Sequence, residues 1–251
     1  MPFEIWQGLV LITVGAVSGF LNVMAGGGSL LTVPVMVFMG MPGPVANGTN
    51  RIAILAQNVA AISAFFKKGF SDFRLSLSLA VCTLPGAVIG AFAGTRLDGV
   101  WFNRVLAIIM LGVMLSMFFD KDKEAEREQV ELTTKRLLFG HLAMVGVGFY
   151  GGFIQVGVGF ILMPILHRVL GLDLVRVNMH KVFIIGVYSV AALCVFAARV
   201  QIAWLLGACL ALGNMAGGWL GAHVSVSRGE TAIKTILNVV LVVFIIKLLF
   251  F

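Results

Sequence analysis

The chain has 251 residues, of which 60% are hydrophobic and only 12% are charged, with a formal net charge of +7. A soluble globular domain carries about 25% charged residues, so this composition excludes a soluble fold. The excess of basic residues is typical of loops that face an anionic lipid leaflet, and nucleic acid is not expected as a partner.

Apolar runs bounded by charges or by Gly and Pro predict an all-α polytopic membrane protein with ten segments. No charged residue or histidine occurs between Ile5 and Asn50, a run longer than the roughly 20 residues that one spanning helix needs. The second and seventh segments are too short to cross about 30 Å of hydrocarbon at about 1.5 Å per residue, so each either crosses or re-enters as a broken hairpin. The predicted segments are 5–24, 29–41, 46–66, 75–95, 101–119, 137–155, 158–167, 178–198, 202–222 and 232–251.

A glycine break precedes each short segment. Residues 22–34 read NVMAGGGSLLTVP and residues 155–164 read QVGVGFILMP, so that Pro34 and Pro164 lie 130 positions apart. A helix that restarts after such a break presents free amide N–H groups and a positive dipole end, which suits an anion. Close helix packing is the alternative for these clusters, and it is the expected role of single glycines such as Gly15. The residues predicted to bind the anion here are Asn22, Gly27, Gly28, Ser29, Gln155, Gly157, Gly159 and Phe160.

One cation follows each break at the same offset, Arg51 in the first half and Lys181 in the second. Polar residues spaced three or four positions apart align on one side of each helix, and such groups face a protein interior or a wet cavity. The pattern predicts one anion site shared by both cations, with interfacial anchoring or structural hydrogen bonding as the alternative. The polar residues assigned to this site are Asn47, Asn50, Asn58, Asn178, His180 and Tyr188.

Each half holds five segments, of which five or three cross the membrane. Because both numbers are odd, the second half enters from the opposite side and the two repeats are predicted to be inverted. The predicted domains are a first membrane repeat over 1–119, a charged cytoplasmic linker over 120–136 and a second repeat over 137–251. An N-terminus outside the cell places twelve cations in the cytoplasm and four outside, as the positive-inside rule requires.

The residues that are absent narrow the function further. No Asp or Glu lies well inside a predicted segment, so the usual carboxylate relay for protons or sodium ions is missing. No His-Glu-x-x-His or Gly-x-Ser-x-Gly pattern occurs. We therefore predict no enzyme, no catalytic residue, no metal site and no cofactor.

With these repeats and cations, the chain resembles the TauE/SafE family of sulfite exporter-like membrane permeases. The resemblance covers nearly the whole chain and is carried by the break that ends at Pro34, by its repeat that ends at Pro164, and by residues 46–51, ANGTNR. The second break departs from the usual run of three glycines, since it reads Gly157-Val158-Gly159. The resemblance implies transport of a sulfur-containing anion such as sulfite, or of an organosulfonate such as sulfoacetate.

The expected function is therefore export of a small anion by alternating access across the cell membrane. An inside-negative potential favours the exit of an anion by about 2.3 kcal/mol per charge per 100 mV, so export needs no coupling ion. The alternatives are an importer or a channel for sulfate or thiosulfate, and a membrane scaffold without a substrate. The expected partners are the small anion and the lipid bilayer, and a homodimer is left open.

Overall fold

The structure is a computed structural model that describes residues 4–97, 99–119 and 133–250. Every regular element within these ranges is a helix, which confirms the predicted all-α fold. A π-helix, Ile165–Val169, continues the seventh helix, and the ninth is interrupted at Gly229, where φ is 62° and ψ is −153°. The α-helices are α1 (Ile5–Met24), α2 (Ser29–Phe38), α3 (Gly43–Lys67), α4 (Phe73–Thr95), α5 (Gly99–Phe119), α6 (Thr134–Phe153), α7 (Val158–Pro164), α8 (Leu174–Arg199) and α9 (Trp204–Phe250).

The helix bounds follow the predicted segments closely, with one correction. The predicted end of the ninth segment at residue 222 is wrong, because α9 stays helical as far as Gly229. Ser225 in this polar stretch is buried and its hydroxyl accepts a hydrogen bond from Asn178 at 3.2 Å, so the stretch packs against α8. Most of the predicted linker, residues 120–132, lies outside the described residues, and its last residues begin α6.

Four of the described helices are long and apolar enough to cross a membrane: α1, α4, α8 and α9 up to Gly229. The 25-residue α3 is as long as these, but its buried residues include six polar ones: Asn47, Thr49, Asn50, Arg51, Gln57 and Asn58. A helix with this many buried polar groups must face other protein segments or a wet cavity, because lipid offers them no hydrogen bonds.

Helices α1, α3 and the first part of α9 run in the same direction. Positions on α9 that are later in the sequence face later positions on both α1 and α3. The chain must therefore return between α1 and α3, and α2 is the returning arm. Its 10 residues span about 15 Å, half of the hydrocarbon thickness, so α1 and α2 form a hairpin with a short second arm. The facing pairs are Ile12 with Gly213, Ala16 with Gly217, Thr49 with Gly207 and Gln57 with Gly218.

Helices α4, α6 and α8 form a second parallel group, which runs against the first. The opposition is seen where α3 crosses α8, since Gly48 faces Phe196 whereas Asn58, later in α3, faces Gly186, earlier in α8. Because α6 and α8 are parallel, α7 and the π-helix return the chain between them. The pairs that align the second group are Thr83 with Gly148, Ala87 with Gly152, Ser76 with His180 and Gly94 with Phe196.

Glycines allow two of these crossings to become very close. A Cβ atom on Gly217 of α9 would lie 1.9 Å from the carbonyl oxygen of Ala16, and one on Gly152 of α6 would lie 2.1 Å from that of Ala87. The predicted packing role of Gly15 is confirmed, since a Cβ there would lie 2.6 Å from the carbonyl oxygen of Leu210. The α1–α9 and α4–α6 pairs are thus held by direct backbone contact, as is usual between membrane helices.

Candidate functional site

Arg51 is fully buried in α3, and its guanidinium group lies at the C-terminal end of α6. Its Nη1 donates to the carbonyl oxygen of Gly151 and to Oε1 of Gln155, both at 3.1 Å, and Nη2 donates to the carbonyl oxygen of Gly152 at 2.5 Å. The last carbonyl groups of a helix lack partners within it and carry partial negative charge. The ring of Phe196 lies 4.5 Å from the guanidinium carbon on another side. Arg51 therefore caps α6.

Lys181 makes the corresponding contact in the other half. It is fully buried in α8, and its Nζ donates to the carbonyl oxygen of Val23, in the last turn of α1, at 2.8 Å. Its second acceptor is Oδ1 of Asn178 at 2.7 Å. Each cation thus caps the helix that opens the other half of the chain.

The structure does not bring the two cations together. Arg51 lies beside Phe196, which is 15 residues along α8 from Lys181. At about 1.5 Å per residue, Phe196 lies about 22 Å from Lys181 along α8, whereas Ser189, which Gln155 links to Arg51, lies about 12 Å from it. Among the described hydrogen bonds, no residue contacts both side chains. The two cations therefore contact α8 at two different levels along its axis.

Asn58 and Tyr188 lie between these levels, where α3 and α8 cross. Asn58 is seven residues from Arg51, and Tyr188 is seven residues from Lys181, about 10 Å along each helix. Both side chains are fully buried, and neither Nδ2 of Asn58 nor the Tyr188 hydroxyl has a hydrogen-bond partner among the described residues. Nε of Arg51 is a third such donor. Three buried donors on α3 and α8 thus have no hydrogen-bond partner among the described residues.

Tyr188 and Arg51 meet at Gly151. A Cβ atom on this glycine would lie 2.7 Å from the Tyr188 hydroxyl oxygen, and the Gly151 carbonyl group accepts the Arg51 hydrogen bond described above. Gln155, the other acceptor of Arg51, also donates from Nε2 to the hydroxyl of buried Ser189 at 3.1 Å. The Tyr188 hydroxyl therefore lies beside the helix end that Arg51 caps.

A chain of amide groups extends from Asn58 to α1 and α9. Oε1 of Gln57 accepts from Nδ2 of Asn22 at 3.1 Å and from Nδ2 of Asn214 at 3.5 Å, and Nε2 of Gln57 donates to Asn58 at 3.4 Å. Gln57 and Asn214 are absent from the predicted site. Their signal in the sequence is the same as that of Asn58, a polar amide within a long apolar segment.

The two glycine breaks contact each other. A Cβ atom on Gly26 would lie 2.5 Å from Cα of Gly159, and one on Gly159 would lie 2.2 Å from Cα of Gly26. The backbone is left-handed at Gly26 and Gly157, with φ values of 86° and 72°, and also at Gln155, with φ 62°. Only glycine adopts this conformation without cost, so Gln155 is strained as well as buried.

Five amide groups at the breaks are free as the sequence predicts, but that of Phe160 is not, since it donates to the carbonyl oxygen of Gly157 at 3.0 Å. No described hydrogen bond is donated by the backbone N–H of Gly27, Gly28 or Ser29, or by that of Gly157 or Gly159. The ring of Phe160 covers Gly27, since a Cβ atom there would lie 2.6 Å from the ring. These amides are therefore screened by an aromatic side chain as well as by the neighbouring helices.

The other predicted site residues tie helices together. Asn47, one turn before Arg51 in α3, donates from Nδ2 to the carbonyl oxygen of Phe153 at 2.9 Å. Both side chains thus contact the C-terminal end of α6. Asn50 accepts from Thr32 at 2.7 Å and donates to Ser29 at 3.5 Å, which fixes α2 to α3. Nδ1 of His180 lies 2.8 Å from the Ser76 hydroxyl, which ties α8 to α4. The Nε2 atom of His180 has no partner among the described residues.

Comparison with known families identifies the family of the chain. The model of the family described as "Sulfite exporter TauE/SafE" matches residues 11–248. The chain belongs to the TauE/SafE family. The match confirms the resemblance, and with the apolar helices it makes this family member a multi-pass membrane protein of a transporter family.

Relatives span almost the whole chain. A "Probable membrane transporter protein" of Haemophilus influenzae is 28% identical over 225 residues, which are 90% of this chain and 88% of that protein. The "Probable membrane transporter protein YfcA" of Escherichia coli K12 is 24% identical over 244 residues, which are 96% of this chain and 89% of that protein. No solved structure matches.

Proposed function

We propose that this TauE/SafE protein is a carrier that exports a small sulfur oxyanion, such as sulfite or the organosulfonate sulfoacetate. The observation that carries the proposal is the presence of two fully buried cations, Arg51 and Lys181, neither of which pairs with a carboxylate among the described residues. The described carboxylates Asp72 and Asp173 instead cap the starts of α4 and α8. A buried cation without a counter-charge is costly, and a bound anion removes that cost.

The free donors at the crossing of α3 and α8 match the needs of an oxyanion. The Tyr188 hydroxyl, Nδ2 of Asn58 and Nε of Arg51 can each donate to a different anionic oxygen. Hydrogen bonds to a charged acceptor are roughly twice as strong as neutral ones, so three of them offset much of the dehydration of the anion. Lys181 adds a point charge at the second level, and Arg51 adds its positive charge beside the free Nε.

The directions of the helices support the inverted repeats 1–119 and 137–251, and with them alternating access. Helix α1 runs against α6, and α3 runs against its counterpart α8, as an axis in the membrane plane requires. Each cation holds the end of a broken hairpin in the other repeat. An anion that draws Arg51 from the Gly151 carbonyl group leaves the end of α6 free, which links binding to movement of one repeat against the other.

Orientation and direction follow from the basic residues. The end of α3 and the starts of α4 and α6 lie at one face, where Lys67, Lys68, Arg74 and Lys135 are found. The positive-inside rule assigns this face to the cytoplasm, which puts the N-terminus outside and the linker inside. The anion then meets Lys181 first and Arg51 last, and the membrane potential favours its exit.

Replacing Tyr188 with phenylalanine is expected to weaken substrate binding without unfolding the protein. The change removes a hydroxyl that has no partner among the described residues, so no hydrogen bond inside the protein is lost. A hydrogen bond to a charged ligand contributes about 1.5–3 kcal/mol, which predicts a KM for sulfite roughly 10- to 100-fold higher. The measurement is sulfite flux in proteoliposomes under an imposed potential, repeated with sulfoacetate.

Tyr150 provides the matched control. Its hydroxyl donates to the carbonyl oxygen of Val156 at 2.5 Å, so Tyr150→Phe loses an internal hydrogen bond. We expect this variant to be less stable in thermal unfolding and to keep the wild-type KM. An unchanged KM in Tyr188→Phe would remove Tyr188 from the site, and flux that rises without saturation in the wild type would indicate a channel.

A further inference from the structure

A groove about 620 Å³ in volume lies on the outer surface of the helix bundle, between the first turns of α4 and α6. Its walls come mainly from one stripe of α4, including Leu77 and Val81, which are 38% and 51% exposed. Because this stripe lies on spanning helices and faces outward, lipid is the solvent that meets it. The groove is separate from the buried polar centre, which involves α3 and α8.

The side chains that line the groove change from charged to polar to apolar along α4. Arg74 stands at the start of the helix, is exposed, and has no hydrogen bond or ion pair among the described residues. One turn further, about 6 Å deeper, the Ser78 hydroxyl lies 3.1 Å from Nε2 of His141. Beyond that pair the walls are apolar as far as Cys82. A cation, a pair of hydrogen-bonding side chains and an apolar surface thus follow one another from the start of α4 inward.

A glycerophospholipid has the same order of groups. Its phosphate lies at the surface, its ester carbonyl groups lie a few ångströms deeper, and its acyl chains fill the hydrocarbon layer. The distance from Arg74 to Cys82 is about 12 Å, close to the depth of half the hydrocarbon core. The exposed Lys135 stands at the start of α6, at the same face, and adds positive charge near the mouth of the groove.

We propose that this groove binds one anionic phospholipid, with its phosphate on Arg74, its ester groups at Ser78 and His141, and one acyl chain along Leu77 and Val81. The positive charge at the rim of the groove favours an anionic over a zwitterionic lipid. A zwitterionic lipid gains little from the basic rim, whereas an acidic headgroup such as phosphatidylglycerol gains attraction to both Arg74 and Lys135. The bound lipid fills the space between α4 and α6 at the face that the positive-inside rule assigns to the cytoplasm.

Native mass spectrometry of the full chain in detergent tests the proposal, with phosphatidylglycerol and phosphatidylcholine of identical acyl chains as probes. The wild type is expected to bind one phosphatidylglycerol at least fivefold more tightly than phosphatidylcholine. Arg74→Gln should reduce that preference to less than twofold, and Arg74→Lys should keep most of it. Val81→Trp, which fills the exposed channel, should weaken both lipids by a similar factor.

Arg104 provides the control at the opposite face. It lies near the start of α5, its guanidinium carbon is 5.1 Å from the Trp101 ring, and Arg104→Gln should leave the preference unchanged. An equal loss in Arg104→Gln and Arg74→Gln would overturn the proposal, because it would show general attraction to charge. Lipid binding that neither Arg74→Gln nor Val81→Trp changes would also overturn the proposal. If Val81→Trp then abolished a dimer, the groove would be assigned to a second copy of the chain.

Discussion

Arg51→Ala is expected to reduce sulfite flux in proteoliposomes by at least 100-fold and to lower the stability of the protein. The change leaves the carbonyl groups of Gly151 and Gly152 and the amide oxygen of Gln155 without their donor. A buried acceptor that loses its partner costs about 1–3 kcal/mol, and the site also loses a positive charge. Flux and thermal unfolding in detergent are measured together, so that lost function is separated from lost fold.

Arg51→Lys separates the charge from the geometry of the fork. Lysine keeps the positive charge, but its three donors share one nitrogen and do not reproduce the planar fork, so we expect partial flux with a raised KM. Arg199→Ala is the matched control, because Arg199 lies near the membrane boundary, with its guanidinium carbon 4.7 Å from the Phe92 ring, and should transport normally. Normal flux in Arg51→Ala and in Lys181→Ala would make both cations structural anchors, and a double variant that is equally active would support a scaffold.

Gly26→Ala is expected to have the second large effect, through the contact between the two breaks. A left-handed residue other than glycine costs roughly 1–2 kcal/mol, and here the new methyl group would also lie 2.5 Å from the backbone of Gly159. The hairpins must separate to admit it, which displaces the free amides of both breaks. We expect a clear fall in the unfolding temperature and a flux at least tenfold lower.

Gly69→Ala is the control that separates the effect of the contact between the breaks from the effect of backbone strain. Gly69 has a similar φ of 79° but no atom within 4 Å of an added Cβ atom, so Gly69→Ala carries the strain alone. The difference in unfolding temperature and in flux between the two variants measures the contact between the breaks. Equal effects in the two variants would show that the breaks do not depend on their mutual approach.

Much of the fold can be predicted from the sequence because each feature has a local cause. The helices follow from apolar runs, and the offset of 130 residues between Pro34 and Pro164 relates the two halves. The direction of α2 could not be predicted in this way. The direction of α2 follows from the pairs of positions on α1, α3 and α9 that face each other. These pairs join residues far apart in the chain, so no local pattern reveals them.

The prediction that Arg51 and Lys181 share one anion shows what the repeat pattern alone leaves open. In an inverted repeat, equivalent residues lie at equal depths from opposite faces, so they meet only if they lie near the symmetry axis. Under the proposed inverted symmetry, Asn58 and Tyr188, also 130 positions apart, would meet this condition, whereas Arg51 and Lys181 are each seven residues, about 10 Å along the helix axis, from them. The partners of Arg51 could not be predicted either, because two of them are backbone carbonyl groups, which every residue has.

Access to Asn58 from the two sides of the membrane is the most direct test of a single central site that opens in turn to each face. Asn58→Cys would be made in a chain whose Cys82, Cys194 and Cys209 are replaced by serine, and shown to transport sulfoacetate in proteoliposomes. A charged, impermeant maleimide is then applied from either side. Labelling from both sides, slowed by saturating sulfoacetate, is the predicted result. A transporting variant that is labelled from neither side, or that sulfoacetate does not protect, would contradict a binding site at this crossing.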